Sequence, residues 1–254
     1  MGGGWRSGRM VENRGRTSEG ARMEIGVTGG TGDEGFGLAL RLARAGHHVT
    51  IGSRVQERGE QAAERARELL GAEAPVDGTA NEMLAVRPDL EVLFVTVPYA
   101  GQADTYRVLK EHLPEGRIVC DCTSPLATAV GGRPWQVIRP WHGSAAEQAE
   151  AIVGRGRLRL VSGFQTVSGE LLQDIERPME GDVLLCGADA EAKATVGSLV
   201  EDVPDLRWAD AGDLSMARVI EPLTALLVSL NRNYKLKDTG IELSGREGWG
   251  RPGA

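Results

Sequence analysis

Aromatic side chains are scarce in this sequence: three Phe, three Tyr and five Trp in 254 residues. Aliphatic residues and alanine must therefore fill the core. The apolar share of 41% is large enough for a sizeable one. Cysteine is scarcer still. Cys120, Cys122 and Cys186 make an odd set without a regular framework, which argues against a disulfide scaffold and fits a reducing, cytoplasmic setting. Cys120 and Cys122 lie two apart in an apolar segment, so on a strand they face one side as small buried residues. Two ligands do not make a zinc site, and His47, His48, His112 and His142 show no ligand spacing, so no metal is expected. No apolar run reads as long enough to span a bilayer. The chain carries a net charge of −7 with no basic stripe, so neither membrane nor nucleic acid is expected as a partner.

Also missing is a recognisable acid–base set. There is no Ser–His–Asp grouping, no H-E-x-x-H and no pair of carboxylates in a convincing loop. A reaction that moves only a hydride between two bound rings needs little side-chain chemistry; it needs the rings held face to face.

What is present is alternation. Glu24–Thr28 reads as a short apolar strand, Gly35–Ala45 as a helix with Gly46 at its C-terminal stop, and His48–Gly52 as a second strand. Gln56–Leu70 is an Ala-, Glu- and Arg-rich exposed helix. Leu90–Val97 is a nearly continuous β-branched run of the kind found in parallel strands covered on both faces. Gln102–His112 follows as a helix and Arg117–Asp121 as another buried strand. This order implies an α/β fold, a Rossmann doubly wound parallel sheet. After Ser124 the period weakens. Ser144 with Glu147 opens a helix to Val153 as a capping box. Leu158–Ser162 and Asp182–Cys186 read as strands and Ala190–Val200 as a helix. From Asp213, the residues Val219, Leu223, Leu226, Leu227 and Leu230 recur at helical spacing, and Pro222 should kink or split that stretch. Residues 1–22, Gly- and Arg-rich without an apolar period, read as a disordered extension, with Met23 a possible start; the polar tail 246–254 reads as frayed.

The first strand runs into Gly29-Gly30-Thr31-Gly32-Asp33-Glu34-Gly35, in which Gly30, Gly32 and Gly35 fit G-x-G-x-x-G. The loop follows a strand and opens a helix, which is the required context for dinucleotide binding. Gly30 permits the tight turn, Gly32 lets a pyrophosphate approach the backbone, and Gly35 lets the helix pack on the sheet. Free N–H groups at the helix start then face the phosphates. An NAD site places an acid about twenty residues on, at the end of the second strand. Here that place reads Gly52-Ser53-Arg54, with Arg58 one turn further, which suits the 2′-phosphate of NADP. Thr96-Val97-Pro98 and Asp121-Cys122-Thr123-Ser124-Pro125 lie at carboxyl ends of strands, where Val97, Pro98 and Thr123 would line the nicotinamide side. Tyr106 and Lys110 fit Y-x-x-x-K, a general-acid pair in short-chain dehydrogenases, though far closer to the glycine loop than in that family.

The ordered series Gly29-Gly30-Thr31-Gly32, Gly37–Ala43, Gly46-His47, Gly52-Ser53-Arg54, Val161–Val167, Asp182–Gly187, Asp210-Ala211-Gly212 and Glu221–Thr224 resembles the NADPH-dependent coenzyme F420 reductases. Leu236–Ser244 resembles that family's carboxyl end. The resemblance covers roughly Met23 to Gly245. It implies hydride transfer between nicotinamide C4 and deazaflavin C5, a Rossmann domain over 23–162, a small C-terminal α+β lobe over 163–245 that closes on the deazaflavin, and a homodimer. By family position, Thr31, Gly32, Asp33, Glu34, Ser53, Arg54 and Arg58 would hold NADP. Gln165, Val167 and Gly169 would lie where the rings stack, and Thr239 and Gly240 near coenzyme F420. Two departures stand out. Family members often have histidine where this chain has Gln165, and proline where it has Ser168. The pair Asp33-Glu34 beside a pyrophosphate is unfavourable unless both carboxylates point to solvent. Two other readings of the same residues are an NADP-dependent reductase of a small carbonyl substrate, using Tyr106 and Lys110, and a non-catalytic NADP sensor.

Overall fold

In the computed structural model the described residues are 22–245 and Gly250. The first 21 residues and nearly all of the polar tail, for which disorder was expected, lie outside them. A six-stranded parallel sheet has the order β3-β2-β1-β4-β5-β6, formed by β1 (Glu24–Thr28), β2 (His48–Ser53), β3 (Val76–Ala80), β4 (Val92–Val95), β5 (Ile118–Asp121) and β6 (Arg159–Ser162). The order reverses between β1 and β4, the crevice where open α/β sheets bind ligands. Helices α1 (Asp33–Arg44) and α2 (Gln56–Leu70) cover one face, and α3 (Asn81–Ala85), α4 (Tyr99–His112) and α5 (Ala145–Val153) the other. Ser144 caps α5, its Oγ accepting from the Glu147 N–H at 3.0 Å, as the capping box implied.

The strand β3 and helix α3 carry no apolar run and were not expected. β3 is an edge strand, paired only with β2. Its contact with α2 is made by backbone rather than by large side chains: a Cβ on Gly78 would stand 2.1 Å from the Gly59 carbonyl oxygen. Small residues at a close crossing leave no hydrophobic period to read.

The remainder of the chain adds α6 (Gly169–Gln173), β7 (Gly181–Leu185), α7 (Ala190–Glu201) and β8 (Leu206–Asp210), with β7 and β8 paired parallel. An antiparallel bridge between Ser162 and Cys186 ties this pair to the end of β6. Leu172, Val183, Leu185, Val196 and Trp208 share one apolar cluster with Ile25, Leu38 and Phe94, so both parts of the chain bury a common core. All three cysteines are free and buried.

The apolar stretch after Asp213 breaks into a 3-10 turn (Leu214–Met216), α8 (Ala217–Ile220) and α9 (Leu223–Tyr234), with Pro222 at the junction. Two expectations change here. Leu214–Tyr234 has the length and apolarity of a bilayer span, by composition alone. Within the fold, however, Glu221 is buried against the α5 N-terminus and Arg218 pairs with Glu147. The apolar face also does not all point inward: Leu227 is buried, whereas Val219 and Leu226 are exposed.

Candidate functional site

A cavity of about 1320 Å³ opens over the carboxyl ends of β1, β4 and β5. That exceeds the roughly 300–1,000 Å³ of a pocket for one small ligand. Its first wall is the glycine loop. Gly29 takes the left-handed conformation (φ +77°), so the turn rests on Gly29 rather than on Gly30 as the motif suggested. Gly30 lies beneath the loop and does not line the cavity; its N–H donates to Gly52 O at 2.9 Å, and a Cβ there would stand 2.8 Å from Val27 O. At Gly35 a Cβ would meet Thr96 Oγ1 at 2.3 Å, which fixes how closely α1 approaches the sheet. Gly32 has only Gly29 O, at 3.5 Å, near its missing Cβ, and no side chain caps α1. An open backbone at an uncapped helix N-terminus fits a pyrophosphate.

Thr31, Gly32, Asp33 and Glu34 line this wall, and Ser53, Arg54 and Arg58 line its outer end. Ser53 is buried, while both arginines are exposed and pair with no described residue. Two unengaged guanidiniums and no carboxylate at the β2 terminus fit a 2′-phosphate. Asn81, from the unexpected α3, also lines the wall and accepts from the Gly29 N–H at 3.3 Å.

Of the two loop carboxylates, Asp33 is exposed and accepts from Gln173 Nε2 at 3.2 Å. Glu34 is turned inward, so the two do not both face solvent. Its Oε1 is buried without a hydrogen-bond partner, and burial, reinforced by nearby Asp121, pushes the carboxyl up to about 8. At neutral pH Glu34 is therefore mostly uncharged, which removes its conflict with a pyrophosphate. Asp121 is fully buried. It accepts from Gln102 Nε2 and from the Thr123 N–H, each at 2.9 Å, and burial raises its pKa despite these bonds.

Val97, Pro98 and Thr123 line the floor. Gln165 faces them from the loop after β6. Its Nε2 donates to Asp121 O at 3.1 Å and to Ser162 Oγ at 2.9 Å, leaving Oε1 buried and unpartnered. A carbonyl can only accept, so this contact fixes which end of the amide is which. Phe164, in the left-handed region at φ 73°, packs edge-on against Phe94 with ring centroids 5.6 Å apart and so sets the direction of its neighbour.

The second wall comes from α6, α9 and the segment after α9. Val167, Gly169 and Thr239 line it. Gly240 does not: it is exposed, and the nearest atom to a Cβ there is Thr166 O at 3.9 Å. On α9, Thr224, Leu227, Val228 and Asn231 line the cavity; the sequence marks the helix but none of these four as a site residue. Thr224 Oγ1 donates to Gln165 O at 2.7 Å and must then accept from Ser124 Oγ at 2.6 Å. Asn231 Oδ1 accepts from the Thr239 N–H at 3.3 Å and from the Thr239 hydroxyl. Ser168 caps α6 and donates to Lys237 O at 3.2 Å, a bond proline could not make.

Tyr106 and Lys110 form no catalytic pair. Tyr106 is fully buried, lies off the cavity, and its hydroxyl has no well-aligned partner although it sits near Asp121. Burial above all raises its pKa well above 10. Lys110 is exposed.

Residues 24–125 match the family model described as NADP oxidoreductase coenzyme F420-dependent. The F420-dependent NADP reductase of Methanocaldococcus jannaschii is 41% identical over 228 residues, covering 89% of this chain and all of that protein. The enzyme of the same description from Methanothermobacter marburgensis is 37% identical, over 87% of this chain and 98% of its own. A crystal structure from Arthrobacter sp. FB24, described as a candidate F420-dependent NADP reductase, superposes with a TM-score of 0.74 at 26% identity, over 88% of this chain and all of that one. With its glycine loop, its acid-free β2 terminus and 41% and 37% identity to these reductases over most of its length, the chain belongs to the F420-dependent NADP oxidoreductase family.

Proposed function

We propose a division of labour between the two cavity walls for the reaction of this family. The chain is an F420-dependent NADP reductase, an enzyme with NADP and coenzyme F420 as its two coenzymes. The dihydronicotinamide supplies a hydride from C4 and the deazaflavin takes it at C5, with one proton taken up from solvent in that direction and released in the other. Arg54, Arg58 and Ser53 hold the 2′-phosphate, and the backbone of Thr31 to Glu34 holds the pyrophosphate. Val97, Pro98 and Thr123 lie under the nicotinamide. Residues 163–245 form the lobe that presses the deazaflavin onto it, through Val167, Gly169, Leu227, Val228 and Thr239.

The carrying observation is that one cavity is lined at once by the glycine loop and by α9. No side chain in it is placed as a general acid or base for the transfer. Orientation and exclusion of water are what the walls contribute. The exposed apolar residues Val219, Leu226 and Leu236 support a homodimer joined along the outer side of α8 and α9. The test is NADPH oxidation with and without coenzyme F420. Oxidation that depends on F420 supports the reading, and F420-independent turnover of a small carbonyl compound overturns it. Light scattering reads the mass expected for two chains.

A further inference from the structure

Five buried side-chain atoms among the described residues have no hydrogen-bond partner: Thr28 Oγ1, Glu34 Oε1, Tyr106 Oη, Arg157 Nε and Gln165 Oε1. Thr28, Glu34 and Gln165 line the same cavity. A buried polar atom left unpaired costs free energy and asks for a missing partner. Glu34 and Gln165 each lie near Asp121. The Glu34 carboxyl is near enough to Asp121 and Cys122 for their charges to interact, and Gln165 Nε2 is bonded to the Asp121 carbonyl. Both therefore flank the carboxyl end of β5. Arg54 marks the opposite end of the cavity, beyond the glycine loop, so β5 lies where the ring end of a dinucleotide must fall.

The chemistry of the free atoms is complementary to one group. A carboxamide has one acceptor oxygen and two N–H donors. Gln165 has already spent its amide hydrogens on Asp121 O and Ser162 Oγ, and can offer only an acceptor. A protonated Glu34 offers a donor. Resting on the reading of this cavity as an NADP site, we infer that Glu34 in its neutral form and Gln165 together seat the nicotinamide carboxamide. The Glu34 hydroxyl donates to the carboxamide oxygen, and Gln165 Oε1 accepts from its NH2. This fixes which way the ring turns, and so which face meets the deazaflavin. Neither group acts on the hydride; both are positioning residues.

The test compares three ligands by calorimetry: NADP, its 3-acetylpyridine analogue, which lacks the NH2, and 2′-phospho-ADP-ribose, which lacks the ring. The unmodified protein should prefer NADP to the analogue by about tenfold, the scale of one hydrogen bond. Gln165→Leu should lose that preference. Glu34→Leu should keep it but bind both NADP and the analogue about tenfold more weakly, because both carry the carbonyl oxygen, while Glu34→Gln, which still offers a donor, should bind both as the parent does. All should retain binding of 2′-phospho-ADP-ribose, which reports that they are folded. A second readout needs only the unmodified protein and Glu34→Gln. Infrared difference spectra on adding NADP should show a shifted protonated-carboxyl band that the variant lacks. Preference retained in Gln165→Leu, unchanged affinity for both ligands in Glu34→Leu, or no such band, overturns the inference and leaves the NADP site standing. Failure of the unmodified protein to bind 2′-phospho-ADP-ribose overturns both.

Discussion

The two walls of the cavity are held by different means. The glycine loop is fixed by backbone: Gly29 in a left-handed turn, Gly30 bonded to Gly52, and Gly35 pressed against Thr96. The facing wall is held by side chains reaching across more than a hundred residues. Arg41, buried on α1, donates through Nε to Leu172 O at 3.0 Å and through one amino nitrogen to Leu171 O and Arg177 O, each at 2.8 Å, and to Asp174 O. One residue of α1 thus carries four carbonyls of the segment that includes α6. A wall set by backbone sterics is rigid by local sequence, whereas a wall hung on a few long-range bonds can be loosened at one point.

The largest effect should come from cutting that tie. Arg41→Ala leaves four carbonyls of 171–177 without their charged donor. At roughly 1.5–3 kcal/mol for a hydrogen bond to a charged group, and with partial rescue by water, the loss should reach roughly 3 kcal/mol in urea unfolding. A loss below about 1 kcal/mol would mean that α6 is held by packing alone. Next is Val228→Trp, on the cavity side of α9. Gly240, exposed and off the cavity, cannot serve this purpose. A bulky ring at Val228 displaces the deazaflavin, and misplacement by about 1 Å can cost roughly 10²-fold in rate. F420 reduction should collapse while NADP affinity stays within a few-fold. Equal loss of both would show that the walls do not divide the work. On the opposite wall, Arg54→Ala should weaken NADP binding by roughly 1.5–3 kcal/mol and leave NAD binding nearly unchanged. The same loss for both would remove the 2′-phosphate from that corner.

The asymmetry also explains what could be read from the sequence. The glycine loop, the acid-free end of β2 and the capping box at Ser144 are local, and their residues carry the geometry within a few positions. The helix α9 was legible, but not which of its residues line the cavity: Leu227 and Val228 line it, whereas Leu226 of the same apolar period is exposed. Apolar spacing cannot separate a core from an unfilled site or an exposed face. β3 was missed because glycine, not bulk, makes its contact with α2. The direction of Glu34 was unreadable for another reason. A carboxylate in a phosphate loop is expected to face water, and only the placement of Asp121 shows what it meets instead.

Two glutamates, half-buried Glu34 in the first wall and buried Glu221 at the junction of α8 and α9, are held above the usual carboxylate range, and a pH titration probes both. Glu221 is buried and accepts from the N–H groups of Ala145 at 2.7 Å and Ala146 at 2.9 Å, capping α5. Burial outweighs these bonds and pushes it up to about 8, as it does Glu34. Both folded-state values lie above the unfolded one, so the folded protein holds the extra protons. The stability this gives is fully present below about pH 4.5 and is lost as the pH rises through about 8. Melting temperature should therefore fall by several degrees between pH 6 and 9, a scale of roughly 1 kcal/mol for a chain of this size. Glu221→Gln should flatten that fall. An unchanged slope in the variant would assign the titration to Glu34 or elsewhere.

The smallest effect is expected away from both walls. Tyr106 looks catalytic by spacing, but it stands behind the cavity floor on α4, fully buried. A general acid contributes roughly 10²–10⁴-fold, and requires contact with the reacting group. Tyr106 has none. Its hydroxyl lies against Asp121 without good alignment, and Asp121 keeps its bonds from Gln102 Nε2 and the Thr123 N–H when the hydroxyl is removed. The ring fills a core position beside Leu109 and Leu113, and phenylalanine keeps that volume. Tyr106→Phe should hold stability within about 1 kcal/mol and F420 reduction within a few-fold. One consequence should still be visible. The hydroxyl lies near Asp121, whose backbone carbonyl anchors Gln165, so a small change in NADP affinity without a change in turnover would place Tyr106 behind the first wall as a support. A hundredfold loss of turnover with affinity intact would do the opposite, and would return the reaction to an acid the geometry has placed out of reach.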